Sequence, residues 1–226
     1  MNKGKTHKQL FLETLNKFSG KHNQREVWHD FLLISAISFS NACDFKEKRE
    51  ELFSSTFEKY DEKDKKNLAS LLFITIFAIN ENPAQDFLGE IYCSSHFSQR
   101  HLGQVFTPYN IADAMAKMTC SSKEDVEQAI KEKGYFSISD PSCGAGCMLI
   151  AAANNLTDMG IAPEKFFMVG QDIDNESVLM TYIQLTILGI SAIVICGDSL
   201  AHPGICEENE IWYTPTFIES FQKEVV

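Results

Sequence analysis

From Lys8 to Tyr92 the apolar side chains recur at helical intervals. Leu10, Phe11, Leu15 and Phe18 fall on one helical face, and Val27, Trp28, Phe31, Leu32, Ile34 and Ser35 continue as an almost wholly apolar helix to about Asn41. Leu52, Phe53 and Phe57 mark one face of a helix over Lys46–Lys59. The charged turn Asp61-Glu62-Lys63-Asp64-Lys65-Lys66 then leads into a helix over Asn67–Ile79. Pro83, at the end of Asn80-Glu81-Asn82-Pro83, stops it, and a shorter helix follows over Ala84–Tyr92. Four or five packed helices are expected. After about Leu102 short apolar runs alternate with helical segments: strand Tyr135–Ser139, helix Gly146–Leu156, strand Phe166–Gly170, helix Asn175–Leu188 and strand Ala192–Cys196, with Ile211–Tyr213 a further strand candidate. Strands separated by helices imply right-handed crossovers and a parallel sheet covered by helices on both faces. The expected organisation is an all-α N-terminal domain, residues 1–101, followed by an α/β domain, residues 102–226.

Composition narrows the class. The chain has 226 residues, 44% of them hydrophobic and 23% charged, which excludes disordered and collagen-like chains and leaves enough length for a real core. No apolar run reaches the roughly 18 residues of a membrane span. The basic start Met1-Asn2-Lys3-Gly4-Lys5 leads into further charges rather than a secretory signal, so a cytoplasmic location with no membrane partner is expected. Seven cysteines, at 43, 93, 120, 143, 147, 196 and 206, are scattered, and reduced thiols are expected. Cys143 and Cys147 lie four apart, but no second Cys or His pair accompanies them at ligand spacing, so no metal site is expected.

Charge divides the chain. Residues 1–100 carry 14 Lys and Arg against 14 Asp and Glu; residues 101–226 carry 6 against 17 and contain no arginine. The second half therefore cannot offer the clustered cations that neutralise phosphates, and any DNA contact needs the first half or a partner.

The sharpest chemical feature is Asp140-Pro141-Ser142-Cys143-Gly144-Ala145-Gly146, at the end of the first strand and opening a helix. Ligands of doubly wound sheets bind beyond the carboxyl ends of the strands, where glycines let backbone amides come close. The loop lacks the third glycine of the dinucleotide fingerprint and the Gly-Lys-Ser/Thr of a phosphate loop. A carboxylate before a glycine turn suits a cationic amine. Asp172, thirty-two residues on and followed by Ile173, ends the second strand where a carboxylate accepts from ribose hydroxyls. Asp198 ends the third, able to accept from the exocyclic amine of an adenine. S-adenosylmethionine has all three parts.

These residues resemble the N6-adenine DNA methyltransferase family, in particular the modification subunits of type I restriction systems. Gly103-Gln104-Val105-Phe106-Thr107-Pro108 is similar to that family's glycine-glutamine-aromatic-Thr-Pro signature, and the Asp140–Gly146 loop and the acids Asp172 and Asp198 follow in matching order and spacing. The resemblance covers about Leu102–Leu200, and a helical segment ahead of the signature also looks like that family. It implies a Rossmann-like methyltransferase fold with a shortened sheet, S-adenosylmethionine as cofactor, and a restriction-modification or mobile-element setting. As cofactor contacts it implies Phe106, Thr107, Pro108, Asp140, Cys143, Gly144, Gly146, Asp172, Ile173 and Asp198.

One motif departs. The family's fourth strand ends in Asn-Pro-Pro and an aromatic, which bind and stack on the flipped adenine. Sixteen residues after Asp198 this chain has Thr214-Pro215-Thr216-Phe217, so Thr214, Pro215 and Phe217 stand where the catalytic residues are expected. The other reading is a plain loop with Phe217 in the core. The change to Thr214, and a chain that stops at Val226, predict that methylation of DNA needs a partner. An exposed fourth strand predicts self-association or a hetero-complex, since natural sheets cover their edges. The alternative function is a non-catalytic S-adenosylmethionine-binding subunit or regulator acting through another protein.

Overall fold

The structure, a computed structural model, describes residues 4–95, 106–119 and 122–221. Its elements begin where short polar side chains cap them. Thr6 opens α1 (His7–Asn16) with a reciprocal capping box to Gln9. Asn23 caps α2 (Gln24–Asn41), Asp61 caps α4 (Glu62–Glu81), Asp86 caps α5 (Phe87–Ser94), and α3 (Glu47–Phe57) starts without a side-chain cap. The Asp61–Lys66 run is thus not a turn. Asp61 accepts from the Asp64 backbone N–H, and Glu62 and Asp64 lie in the first helical turn, where the dipole favours acids. Two helices beyond those expected follow: α6 (Tyr109–Thr119) and α7 (Lys123–Lys133), the latter ended by Gly134 at φ 87°.

Beyond them run β1 (Phe136–Asp140), α8 (Cys147–Asp158), β2 (Phe166–Asp172), α9 (Asn175–Ile187), β3 (Ala192–Cys196), β4 (Glu210–Tyr213) and α10 (Pro215–Ser220). The sheet has the order β1-β2-β3-β4. The first three strands are parallel, in register Asp140 opposite Gly170 and Asp172 opposite Cys196. The fourth is antiparallel, Tyr213 facing Ile193.

Two right-handed crossovers that step in the same direction place their helices on the same face. Helices lie on both faces as expected, but unevenly, with α8 and α9 on one and the short α10 on the other. On the first face Phe166, Met168, Val194 and Trp212 join α8 and α9 in the main core. On the other, Phe167, Ile193 and Ile195 pack with Phe217 of α10 and Phe221 just beyond it, with Tyr135, Val169, Ile211 and Tyr213 around them. The main core is continuous from Phe11 to Trp212, so the helical segment and the sheet segment share one apolar interior. Among the described residues no helix is long and apolar enough to cross a membrane.

Among the described residues β4 pairs only with β3, as the expected edge strand, and α3 reaches it at one point. Arg49 of α3, 6% exposed, donates to the Ile211 carbonyl at 2.8 Å and to Ser40 Oγ at 2.7 Å, and its guanidinium lies 3.6 Å from the Trp212 ring centroid. One planar cation therefore satisfies a strand carbonyl, stacks on an aromatic face and ties α2 and α3 to β4. Truncation would leave the Ile211 carbonyl and Ser40 without this partner. We expect Arg49→Met to lower the unfolding free energy by about 2–3 kcal/mol with an unchanged urea m-value; a loss below about 0.5 kcal/mol would show that the guanidinium does not hold the edge.

Candidate functional site

The carboxyl ends of the parallel strands converge on the glycine loop. Asp172 reaches from β2 to accept the Gly144 backbone N–H on Oδ2 at 2.8 Å, and takes the Asp174 N–H on Oδ1 at 2.9 Å. Asp140 accepts from the Ser142 N–H at 3.0 Å. Burial pushes the Asp140 carboxyl above the usual range, the Ser142 bond opposes this, and the nearby Asp172 charge adds to it. Among the described residues no cation pairs with these two acids, and they make a half-buried negative crevice.

Gly144 (φ 55°) and Gly146 (φ 90°) turn the loop through the left-handed region. The room their missing side chains leave is used internally. A Cβ on Gly144 would come within 3.1 Å of the Phe106 ring, and one on Gly146 within 3.0 Å of Thr181 Oγ1. The loop's carbonyls face inward, Gly144 O accepting from Thr181 Oγ1 at 2.7 Å and Ala145 O from Gln184 Nε2 at 2.8 Å. Helix α8 has no side-chain cap, so its positive end adjoins the loop.

Phe106, Thr107, Asp140, Ser142, Cys143 and Gly144 line a cavity of about 70 Å³, which Asp86 and Met148 also border. Thr107, Asp140 and Ser142 border a second, of about 500 Å³, that runs along β1 past Met115, Phe136 and Ile138. Pro108 lies in a third, of about 370 Å³, beside Asp86 and Thr107. Ile173 stands next to Asp172 with 72% of its surface exposed. Cys143 packs against Gly170, and burial pushes its thiol far above the ordinary range, so its side chain serves the core. Asp198 stands at the end of β3, exposed, accepting from the Leu200 and Ala201 N–H groups of its own turn at 2.9 and 3.2 Å. Gly103, Gln104 and Val105 lie outside the described residues.

The expected catalytic residues are not part of this crevice. Because β4 runs antiparallel, the chain leaves it at the amino end of β3, opposite the ends marked by Asp140, Asp172 and Asp198. Thr214 is wholly buried, its Oγ1 accepting from the Ala192 N–H at 2.8 Å and donating to the Ile190 carbonyl at 2.9 Å. Pro215 opens α10, and Phe217 is buried, stacked on Tyr213 at 5.6 Å. Phe217 lies in the core as the plain reading has it, but the segment opens helix α10 rather than forming a loop.

Two residues absent from the motif reading hold the site together. Gln184 is fully buried; its Nε2 donates to Asp86 Oδ1 and the Ala145 carbonyl, both at 2.8 Å, and its Oε1 accepts from the Leu88 N–H at 3.1 Å. Asp86 caps α5 through the Gly89 N–H at 2.9 Å. A glutamine inside the largely apolar run Val178–Leu188 was the available signal, since buried polar groups are there for a partner.

A family model described as N-6 DNA methylase matches residues 83–218. Among solved structures, a protein of Listeria monocytogenes described as a candidate class I S-adenosylmethionine-dependent methyltransferase is similar over 86% of this chain and 69% of its own, with 17% identity and a TM-score of 0.42. No curated protein matches the chain. The family match starts at Pro83, so it takes in α5 and Asp86 as well as the glycine loop.

Burial raises the Asp86 carboxyl to about 6, against the bonds from Gln184 and Gly89 that favour its charge. An unfolded Asp titrates near 3.9. The folded state thus holds the proton more tightly, and stability is greatest at low pH and declines as pH rises through about 6. The unfolding free energy should fall between pH 5 and pH 7 by about 1–3 kcal/mol more in the wild type than in Asp86→Asn. Identical pH slopes in urea titrations of the two proteins would remove Asp86 as the source.

Proposed function

We propose that this chain, which belongs to the N-6 DNA methylase family, is a cofactor-holding methyltransferase component whose transfer to adenine N6 of DNA requires a partner to supply the base pocket. Its cofactor is S-adenosylmethionine. When bound, that molecule supplies a methyl group on a sulfonium, open to attack by an amine nitrogen. The donor set fits it. Asp140 offers a negative charge for an ammonium or sulfonium, with no cation paired to it among the described residues, and the uncapped end of α8 suits a carboxylate. Asp172 is held in place by two N–H groups, and each of its oxygens keeps a lone pair for a ribose hydroxyl. The exposed Ile173 offers an apolar face to a purine ring.

One observation carries the partner requirement: the only Thr-Pro-Thr-Phe segment lies at the far end of the sheet with Thr214 and Phe217 buried. A direct amine-to-methyl transfer depends on positioning more than on proton transfer, so a missing pocket removes most of the rate. Among the described residues β1 pairs on one side only, with β2. Its other side borders the 500 Å³ cavity, whose lining includes Met115, Phe136, Ile138 and Met148. In doubly wound sheets the ligand crevice lies where strands continue in both directions from this point. A strand of a partner subunit, or of a second copy, fits there beside Asp140. Many cations of the helical segment are held by acids, as in Lys21 with Asp61 and Asp64 and Arg25 with Glu176, which favours DNA contact through that partner. A restriction-modification or mobile-element setting in the cytoplasm accords with this division of labour. The second reading, a non-catalytic S-adenosylmethionine-binding regulator, is favoured by the same burial of Thr214.

Calorimetry should show S-adenosylmethionine binding that weakens at least tenfold in Asp172→Ala. The affinity should fall on acidification, because Asp140 takes up a proton above the usual carboxylate range and loses its attraction for the cation. Labelled methyl groups should reach adenine-containing DNA only with the partner present. Absence of binding at high micromolar cofactor would defeat the assignment; methylation by the chain alone would defeat the partner requirement.

A further inference from the structure

The loop between β3 and β4 carries a second group of ligating side chains that the crevice does not use. His202, Cys206 and Glu208 each present one donor atom, all within 4.8 Å of one another, with His202 Nδ1 3.9 Å from Glu208 Oε2. The spacing His-x3-Cys-x-Glu joins an imidazole, a thiol and a carboxylate, three donor types that borderline divalent ions accept together.

The backbone under these side chains is fixed from two directions. Gln171 of β2, 5% exposed, donates to the His202 carbonyl at 2.9 Å and accepts from the Gly204 N–H at 2.8 Å. Asn209 donates to the His202 and Gly204 carbonyls at 2.8 and 2.7 Å. It does so by lying over Gly197, where a Cβ would collide with its amide. The side chains themselves face outward, His202 and Glu208 exposed and Cys206 half-buried. Nothing in the sheet or its core needs three such groups together, and the polar work of the loop is already done by Gln171 and Asn209.

We propose that His202, Cys206 and Glu208 bind one divalent ion of the zinc type, with a fourth position open to water. A four-coordinate zinc holds nitrogen and oxygen at about 2.0–2.2 Å and sulfur at about 2.3 Å, so the three donors must draw together by roughly 1 Å, within reach of exposed rotamers. On binding, Cys206 gives up its proton to solvent, and thiolate plus carboxylate cancel the two charges of the ion. The surrounding half of the chain, net −11, favours a cation in any case. The ion would brace the loop that starts at Gly197 and Asp198, beside the carboxyl ends of the sheet. This site does not depend on the methyltransferase reading.

Cobalt(II) is the probe, added to chelator-treated full chain and followed by absorption. One equivalent should produce a thiolate-to-cobalt charge-transfer band and the strong visible bands of a four-coordinate ion, both bleached by zinc. Cys206→Ser should abolish the charge-transfer band and His202→Ala should weaken binding at least tenfold, while Cys43→Ser, at the exposed cysteine elsewhere, leaves both unchanged. No band at tenfold excess of cobalt, or a band that survives Cys206→Ser, overturns the proposal. Alkylation of wild-type protein gives an answer independent of variant folding: zinc should protect Cys206 from iodoacetamide, and equal rates with and without zinc would also overturn it.

Discussion

The amide of Gln184 is the contact on which the rest of the site depends. It sits fully buried on α9, and its two ends bind three groups from two other parts of the chain: the acid that starts α5, the N–H of Leu88 within α5, and a carbonyl of the glycine loop. Amide groups taken out of water are costly unless every donor and acceptor is used, and here they are used. A side chain with one fewer polar atom would leave α5 or the loop unsatisfied. The helical segment and the sheet are therefore joined by directional bonds as well as by the shared apolar core. The family match, beginning at Pro83, follows this physical join rather than the change of pattern near Leu102.

The inward bonds decide which way the glycine loop faces. With Thr181 and Gln184 holding the carbonyls of Gly144 and Ala145, the Gly144 N–H is left for Asp172. Asp172 is thereby a fixed acceptor, and Asp140 beside it is a charge kept out of full contact with water. Such an arrangement costs stability in the empty protein. It becomes favourable when a cation enters, which is the usual trade at a binding site.

The direction of β4 has an equally large effect. An antiparallel return carries the chain back across the sheet, so Thr214-Pro215-Thr216-Phe217 ends at the amino side of β3. Thr214 there completes the hydrogen bonding of Ile190 and Ala192, and Phe217 fills the second face with Phe167 and Phe221. Those roles need a hydroxyl and an aromatic ring for packing, and they explain the residues without any target base. Arg49 binds one carbonyl of the edge that results, and β1 and β4 each have one strand neighbour among the described residues.

Much of the architecture was legible in the residues alone. The strands from Phe136, Phe166 and Ala192, the intervening helices and the acids at the strand ends follow from periodicity and from glycine, which are local properties of the backbone. The same local rules extend to α6, with Ile111, Ala112, Met115 and Ala116 at helical spacing, to α7, capped by Ser122 and Gly134, and to Asp61 as a cap, but they could not reveal what these helices pack against. Nor could they tell a parallel from an antiparallel fourth strand, because both alternate in the same way and only long-range pairing separates them. The partnership of Gln184 with Asp86, and the meeting of His202, Cys206 and Glu208, likewise depend on side chains brought together by the fold. Chemistry carried by one loop is written in order along the chain; chemistry shared between segments exists only once burial has chosen which of them meet.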